Sequence, residues 1–192
     1  MKYRGLCYKA GAIVAAVLLS ACEADNMYSS NYCNFVFYAN LYPTCALTRA
    51  IGGSGGDFCI VKAVFENGGT HLKLTPNRGT YAKTDLDLTM STAITGERIS
   101  YGAMGYKQGL IIGRSNYGQL RAYDLQCPNC DNDYELEWAE SATELVCHKC
   151  TRIYNIDGEY GYVKSGPKGT ALTQYRNVQY NQSDGRLVVR NQ

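Results

Sequence analysis

Phe58-Cys59-Ile60-Val61-Lys62-Ala63-Val64-Phe65, then Asn67-Gly68-Gly69, then His71-Leu72-Lys73-Leu74-Thr75: on this stretch the fold turns. β-Branched and aromatic residues crowd its first part, and such side chains pack well on a pleated surface. Asn-Gly supplies the positive φ of a tight turn, and the return segment alternates apolar with polar. The reading is a hairpin. Working outward, residues 110–114 and 119–124 flank Ser115-Asn116-Tyr117-Gly118 in the same way. Residues 135–138 and 143–146 flank 139–142, and residues 175–180 and 186–190 flank Asn181-Gln182-Ser183-Asp184-Gly185. No segment keeps a helical period for three full turns, so the expected class is all-β.

Composition agrees. Seventeen tyrosines and twenty glycines, against four phenylalanines and one tryptophan, suit short strands joined by tight turns. The formal charge is only +2 and no long run of like charge occurs, so no nucleic-acid partner is expected. Between the hairpins, residues 80–105 carry Ser/Thr clusters around isolated Leu86, Leu88, Ile94 and Ile99, which reads as short strands with loops. Before them, Leu41-Tyr42-Pro43-Thr44 and Gly52-Gly53-Ser54-Gly55-Gly56 break the chain twice. Residues 32–51 are therefore expected to be an N-terminal extension laid against the barrel, with one helical turn over 46–51. The glycine run lacks the lysine and hydroxyl residue of a phosphate-binding loop and reads as a flexible turn.

The first residues read as an export signal. Lys2, Arg4 and Lys9 precede an apolar run over 10–19, which is shorter than the roughly 20 residues a membrane-spanning helix requires. Leu19-Ser20-Ala21-Cys22 resembles the bacterial lipobox. That resemblance implies that residues 1–21 are removed and that Cys22 becomes the lipid attachment site, carrying palmitate-type acyl chains into a bilayer. Residues 23–31 are polar and read as a tether. The expected location is the bacterial cell envelope at the outer membrane, with the periplasmic and surface faces both open.

Nine cysteines include two close pairs, Cys127-Pro128-Asn129-Cys130 and Cys147-His148-Lys149-Cys150, separated by residues 131–146. Each pair in a tight turn aims two sulfurs at one spot, and the intervening hairpin brings the turns together. Four thiolates then suit zinc or a single iron. The alternative is a pair of disulfides, since an exported chain meets an oxidising compartment. Of the remaining mature cysteines, Cys33 and Cys45 are candidates for a disulfide that pins the extension, with a Cys45 to Cys59 pairing as the other possibility. His148, between two ligands, reads as an exposed or outer-sphere imidazole, and His71 as a packing or surface residue.

The surroundings of these turns carry a further resemblance. Gly118-Gln119-Leu120-Arg121-Ala122-Tyr123-Asp124-Leu125-Gln126-Cys127-Pro128 resembles the strand and first ligand loop of Rieske iron-sulfur domains. Val146-Cys147-His148-Lys149-Cys150 stands at the second ligand loop, and Tyr154-Asn155-Ile156-Asp157-Gly158 at the strand and turn after it. Gly166-Pro167 matches the loop that covers the cluster, and Leu172, Tyr175 and Val178 fall in the closing strands. The resemblance covers residues 58–192 and implies a Rieske-like β-barrel or sandwich with an inserted two-loop metal-binding subdomain over about 124–158. Residues 22–57 would then be tether and extension. The family's histidine ligands would stand at 129 and 150, where this chain has Asn129 and Cys150. The ligand set becomes Cys127, Cys130, Cys147 and Cys150, as in zinc ribbons and rubredoxins.

Lys2-Tyr3-Arg4 is not a twin arginine, so the chain is expected to cross the membrane unfolded and to take its metal from solution. Zinc is the expected metal, with [2Fe-2S] or mononuclear iron as the alternative. Four sulfurs leave no open position, which implies a structural centre in a non-catalytic envelope lipoprotein. The alternative is an electron-transfer protein. No nucleophile and base pair or carboxylate pair stands out, so no catalytic residue is named.

Overall fold

The computed structural model describes residues 27–87, 100–131, 134–158 and 160–191. The export signal, Cys22 and the region of Leu88, Ile94 and Ile99 lie outside the described residues. Within them the chain is mostly β-sheet: β1 (Cys33–Tyr38), α1 (Ala46–Gly52), β2 (Phe58–Glu66), β3 (Gly69–Pro76), β4 (Asp85–Asp87), β5 (Ser100–Met104), β6 (Gly109–Arg114) and β7 (Leu120–Asp124). These are followed by β8 (Glu137–Trp138), β9 (Glu144–Val146), β10 (Ile153–Asn155), β11 (Val163–Ser165), β12 (Asn177–Asn181) and β13 (Arg186–Arg190). The four hairpins read from sequence are β2–β3, β6–β7, β8–β9 and β12–β13, each an antiparallel pair.

Three sheets result, with strand orders β4-β3-β2-β6-β7, β12-β13-β1-β5 and β11-β10-β9-β8. The five-stranded sheet stands between two cores. Along β2, Cys59 and Val61 face one cluster with Phe35, Phe37, Leu47, Ile51 and Leu187, while Phe58 and Ile60 face another with Tyr123, Leu136, Leu145 and Tyr154. Successive side chains of a strand point to opposite faces, so a strand buried on both sides reads as a continuous apolar run. That is why residues 58–61, all buried, show no alternation.

Residues 32–51 differ from the expected extension. β1 is an interior strand, paired to β13 from Asn34↔Arg190 to Tyr38↔Arg186 and to β5 on its other side. Asn-Phe-Val-Phe-Tyr alternates buried and half-buried positions, a strand pattern that the nearby Pro43 and glycine run obscured. α1 forms where a helical turn was expected and packs Leu47 and Ile51 into the first core. Its N-cap is Cys45, whose sulfur accepts from Thr48 N at 3.4 Å.

The expected Cys33 to Cys45 disulfide is not formed. Cys33 on β1 aims its thiol at Val189 O, 3.4 Å away, while Cys45 caps α1, and Cys59 is buried in β2 as a third free thiol. Among the described residues no helix is long and apolar enough to cross a membrane.

Candidate metal centre

The four-stranded sheet is an insertion between β7 and β12, and it carries both cysteine loops. The first loop leaves β7 and is closed behind the cysteines by Leu136 N donating to Leu125 O and Cys127 N donating to Tyr134 O, both at 2.9 Å. The second joins β9 to β10 and turns back at once: Thr151 N donates to Cys147 O at 2.8 Å and Cys147 N to Arg152 O at 3.0 Å. Thr151 takes φ 57°, which ends the turn within one residue. The β9–β10 and β8–β9 pairings then fix the two loops side by side.

The sulfurs of Cys127, Cys130, Cys147 and Cys150 all lie within 4.8 Å of one another. Cys127 and Cys150 approach to 3.7 Å, as do Cys130 and Cys147. Four sulfurs held about 2.3 Å from a common centre define a tetrahedron with edges of roughly 3.8 Å. The cluster fits a metal such as zinc or iron. Disulfides would need sulfurs about 2.05 Å apart, and all four are free thiols. The loops thus bring together the four ligands expected from their spacing.

The donor set is also prepared electrostatically. Burial disfavours the charged form of Cys150, but hydrogen bonds from the Arg152 backbone and guanidinium outweigh it, and the thiol falls to about 6. Burial pushes Cys127 up to about 11 although the Tyr154 hydroxyl, 3.2 Å away, pulls it down. Cys130 is also raised, by burial and by its sulfur neighbours. One sulfur is therefore ready to bind as thiolate, and a metal must displace protons from others.

Three side chains that spacing did not single out secure the loops. Asn129 donates from Nδ2 to Tyr154 OH (2.9 Å) and Thr170 O (2.7 Å), and its Oδ1 accepts from Thr170 N (2.8 Å). Arg152 donates to Pro167 O at 3.1 Å and Lys168 O at 2.9 Å. Together they lay residues 166–170 along the cysteine loops. Gly166 allows the close approach, since a Cβ there would meet Thr151 O at 3.0 Å and the backbone sits at φ +98°. Tyr154 is the third, placed under Cys127 by the β10 pairing.

Neither histidine reaches the cluster. His148 is 68% exposed and pairs with Glu137 at 3.3 Å, as an outward imidazole should. His71 pairs with Asp85 at 2.9 Å on the β3–β4 surface. Glu66 completes a second group of potential ligand atoms there, but the Lys73 ammonium already stands between its carboxylate and that of Asp85.

A buried carboxylate went unnoticed in the sequence. Asp124, 1% exposed, accepts from Ser29 Oγ (2.9 Å), Asn31 Nδ2 (2.9 Å), Tyr175 OH (2.6 Å) and the Gln126 amide (2.9 Å). An acid at the end of a strand carries no local signal of such a hub, because its side-chain partners Ser29, Asn31 and Tyr175 are 51 to 95 residues away. Comparison with known proteins gives no match: no family model, curated protein or solved structure matches the chain.

Proposed function

We propose that this chain is a bacterial envelope lipoprotein, anchored through acylated Cys22, whose Rieske-like β domain carries one structural zinc on Cys127, Cys130, Cys147 and Cys150. The observation that carries the reading is the meeting of four sulfurs from two loops around one centre. A closed set of four thiolates has no position for water or substrate, so the centre supports structure and not catalysis. A binuclear cluster divides its cysteines between two irons and spreads them apart, and four sulfurs all within 4.8 Å fit one ion better. The insertion of the two-loop sheet between β7 and β12, with residues 166–170 beside it, supports the Rieske-like reading.

Elemental analysis of the purified mature chain tests this. One zinc per chain is expected, falling below a tenth of that in Cys147→Ser; iron in place of zinc overturns the assignment. The half-exposed Cys130 and Cys150 favour a second reading, in which a single iron near the surface carries electrons. Visible absorption of protein purified without air distinguishes the two, since zinc is colourless. Mass spectrometry of the N-terminal peptide tests the anchor.

A further inference from the structure

Residues 27–31, expected to be free tether, are fastened to the domain. Gln174 N donates to Met27 O and Ser29 N to Gln174 O, each at 2.8 Å. Asp124 holds Ser29 and Asn31, and Asn191 Nδ2 donates to Ser29 O (2.9 Å) and Asn31 O (2.7 Å). The chain is thus fastened from Met27 onward, five residues beyond Cys22. Five residues reach at most roughly 18 Å. A domain of this length measures on the order of 40 Å across. A chain anchored at Cys22 cannot present its opposite side to the anchor.

The point of fastening is beside the metal centre. Tyr28, Ser29 and Asn31 line one cleft of about 460 Å³ together with Cys127, Pro128 and Cys130. The Arg176 guanidinium covers the ring of Tyr28 in this cleft at 4.3 Å, and on the cysteine loops Lys149 Nζ lies 5.3 Å from the Tyr134 ring centre. Both tyrosines are 37% exposed. Tyrosine suits the headgroup layer, where its ring is half apolar and its hydroxyl wet, and basic side chains are drawn to lipid phosphates.

We propose that the face bearing the two cysteine loops lies against the bilayer surface, with Tyr28 and Tyr134 at headgroup depth and Arg176 and Lys149 on lipid phosphates. This rests on the lipoprotein reading. The acylated full-length protein is inserted in phosphatidylethanolamine and phosphatidylglycerol vesicles containing acyl-brominated lipid, with Trp138→Phe combined with Tyr134→Trp or Tyr117→Trp. Tyr117 lies in the β6–β7 turn, at the other end of β7 from Cys127. Quenching at position 134 is expected to exceed that at 117 several-fold; equal or reversed quenching overturns the orientation. A second measurement needs no tryptophan variant: acetylation of Lys149 in the vesicle-bound wild type is expected to be several-fold slower than in soluble Cys22→Ser, and equal rates overturn the proposal. If the N-terminal peptide carries no acyl mass, the anchor itself is refuted. Acylation without the quenching difference refutes the orientation alone.

Discussion

Tyr154 and Asp124 do related work at opposite ends of the same hydrogen-bonded surface. The Tyr154 hydroxyl contacts Cys127 Sγ and accepts from Asn129, so it stiffens a metal ligand through its outer sphere. Tyr154→Phe is expected to weaken zinc affinity about tenfold, measured by competition with a chromophoric chelator, while leaving the stoichiometry at one. Asp124 collects donors from two distant segments, residues 29–31 and Tyr175, and removal of its carboxylate takes away their shared acceptor at a buried position. Asp124→Ala should cost about 3 kcal/mol, read as a lower urea midpoint, and should also free residues 27–31. The four-cysteine cluster was legible because its chemistry depends on short spacing. Asn129 looked like the loss of a ligand, and its role as a clasp on Thr170 is visible only once residues 41 positions apart are adjacent.

At the scale of elements, the sheet that carries the two cysteine loops is built only from short strands. Its strands β8 to β11 are two or three residues long. Strands so short do not persist without a staple or a neighbour to pack on. The neighbour is the five-stranded sheet, reached by the Trp138 indole donating to Thr75 O (2.9 Å) and by Lys62 paired with Glu135 (2.6 Å). Chelation of the metal is expected to abolish hydrogen-exchange protection around β9 and β10 while β2 and β6 keep theirs. The chain's one tryptophan, Trp138, should report the same event by a red-shifted emission. The hairpins were legible because each joins sequence neighbours, three of the four by a turn with Gly, Asn or Asp. β1 was not, since its partners β13 and β5 lie far along the chain and its own flanks signal breaks.

For the molecule as a whole, the buried free thiols set an alkaline limit. Burial raises Cys33 to about 12 and Cys59 well above its ordinary value, so both stay neutral in the folded chain. Above about pH 9 the unfolded chain loses these protons and the folded one keeps them. Their contribution to stability is complete below pH 9 and is lost as the pH rises toward 12. Under reducing conditions the urea midpoint should fall over that range, by on the order of 1 kcal/mol per pH unit for each thiol; a flat profile would show the thiols to be ionised or covered otherwise. The β1–β13 pairing acts on another time axis. Arg190 meets Asn34 across 156 positions, so a chain made from its amino end must keep β1 waiting until residues 186–190 are synthesised. During that interval one edge of β1 lacks its partner and is open to other chains, and the protein's yield in a cell rests on whatever shields residues 33–38 until β13 arrives.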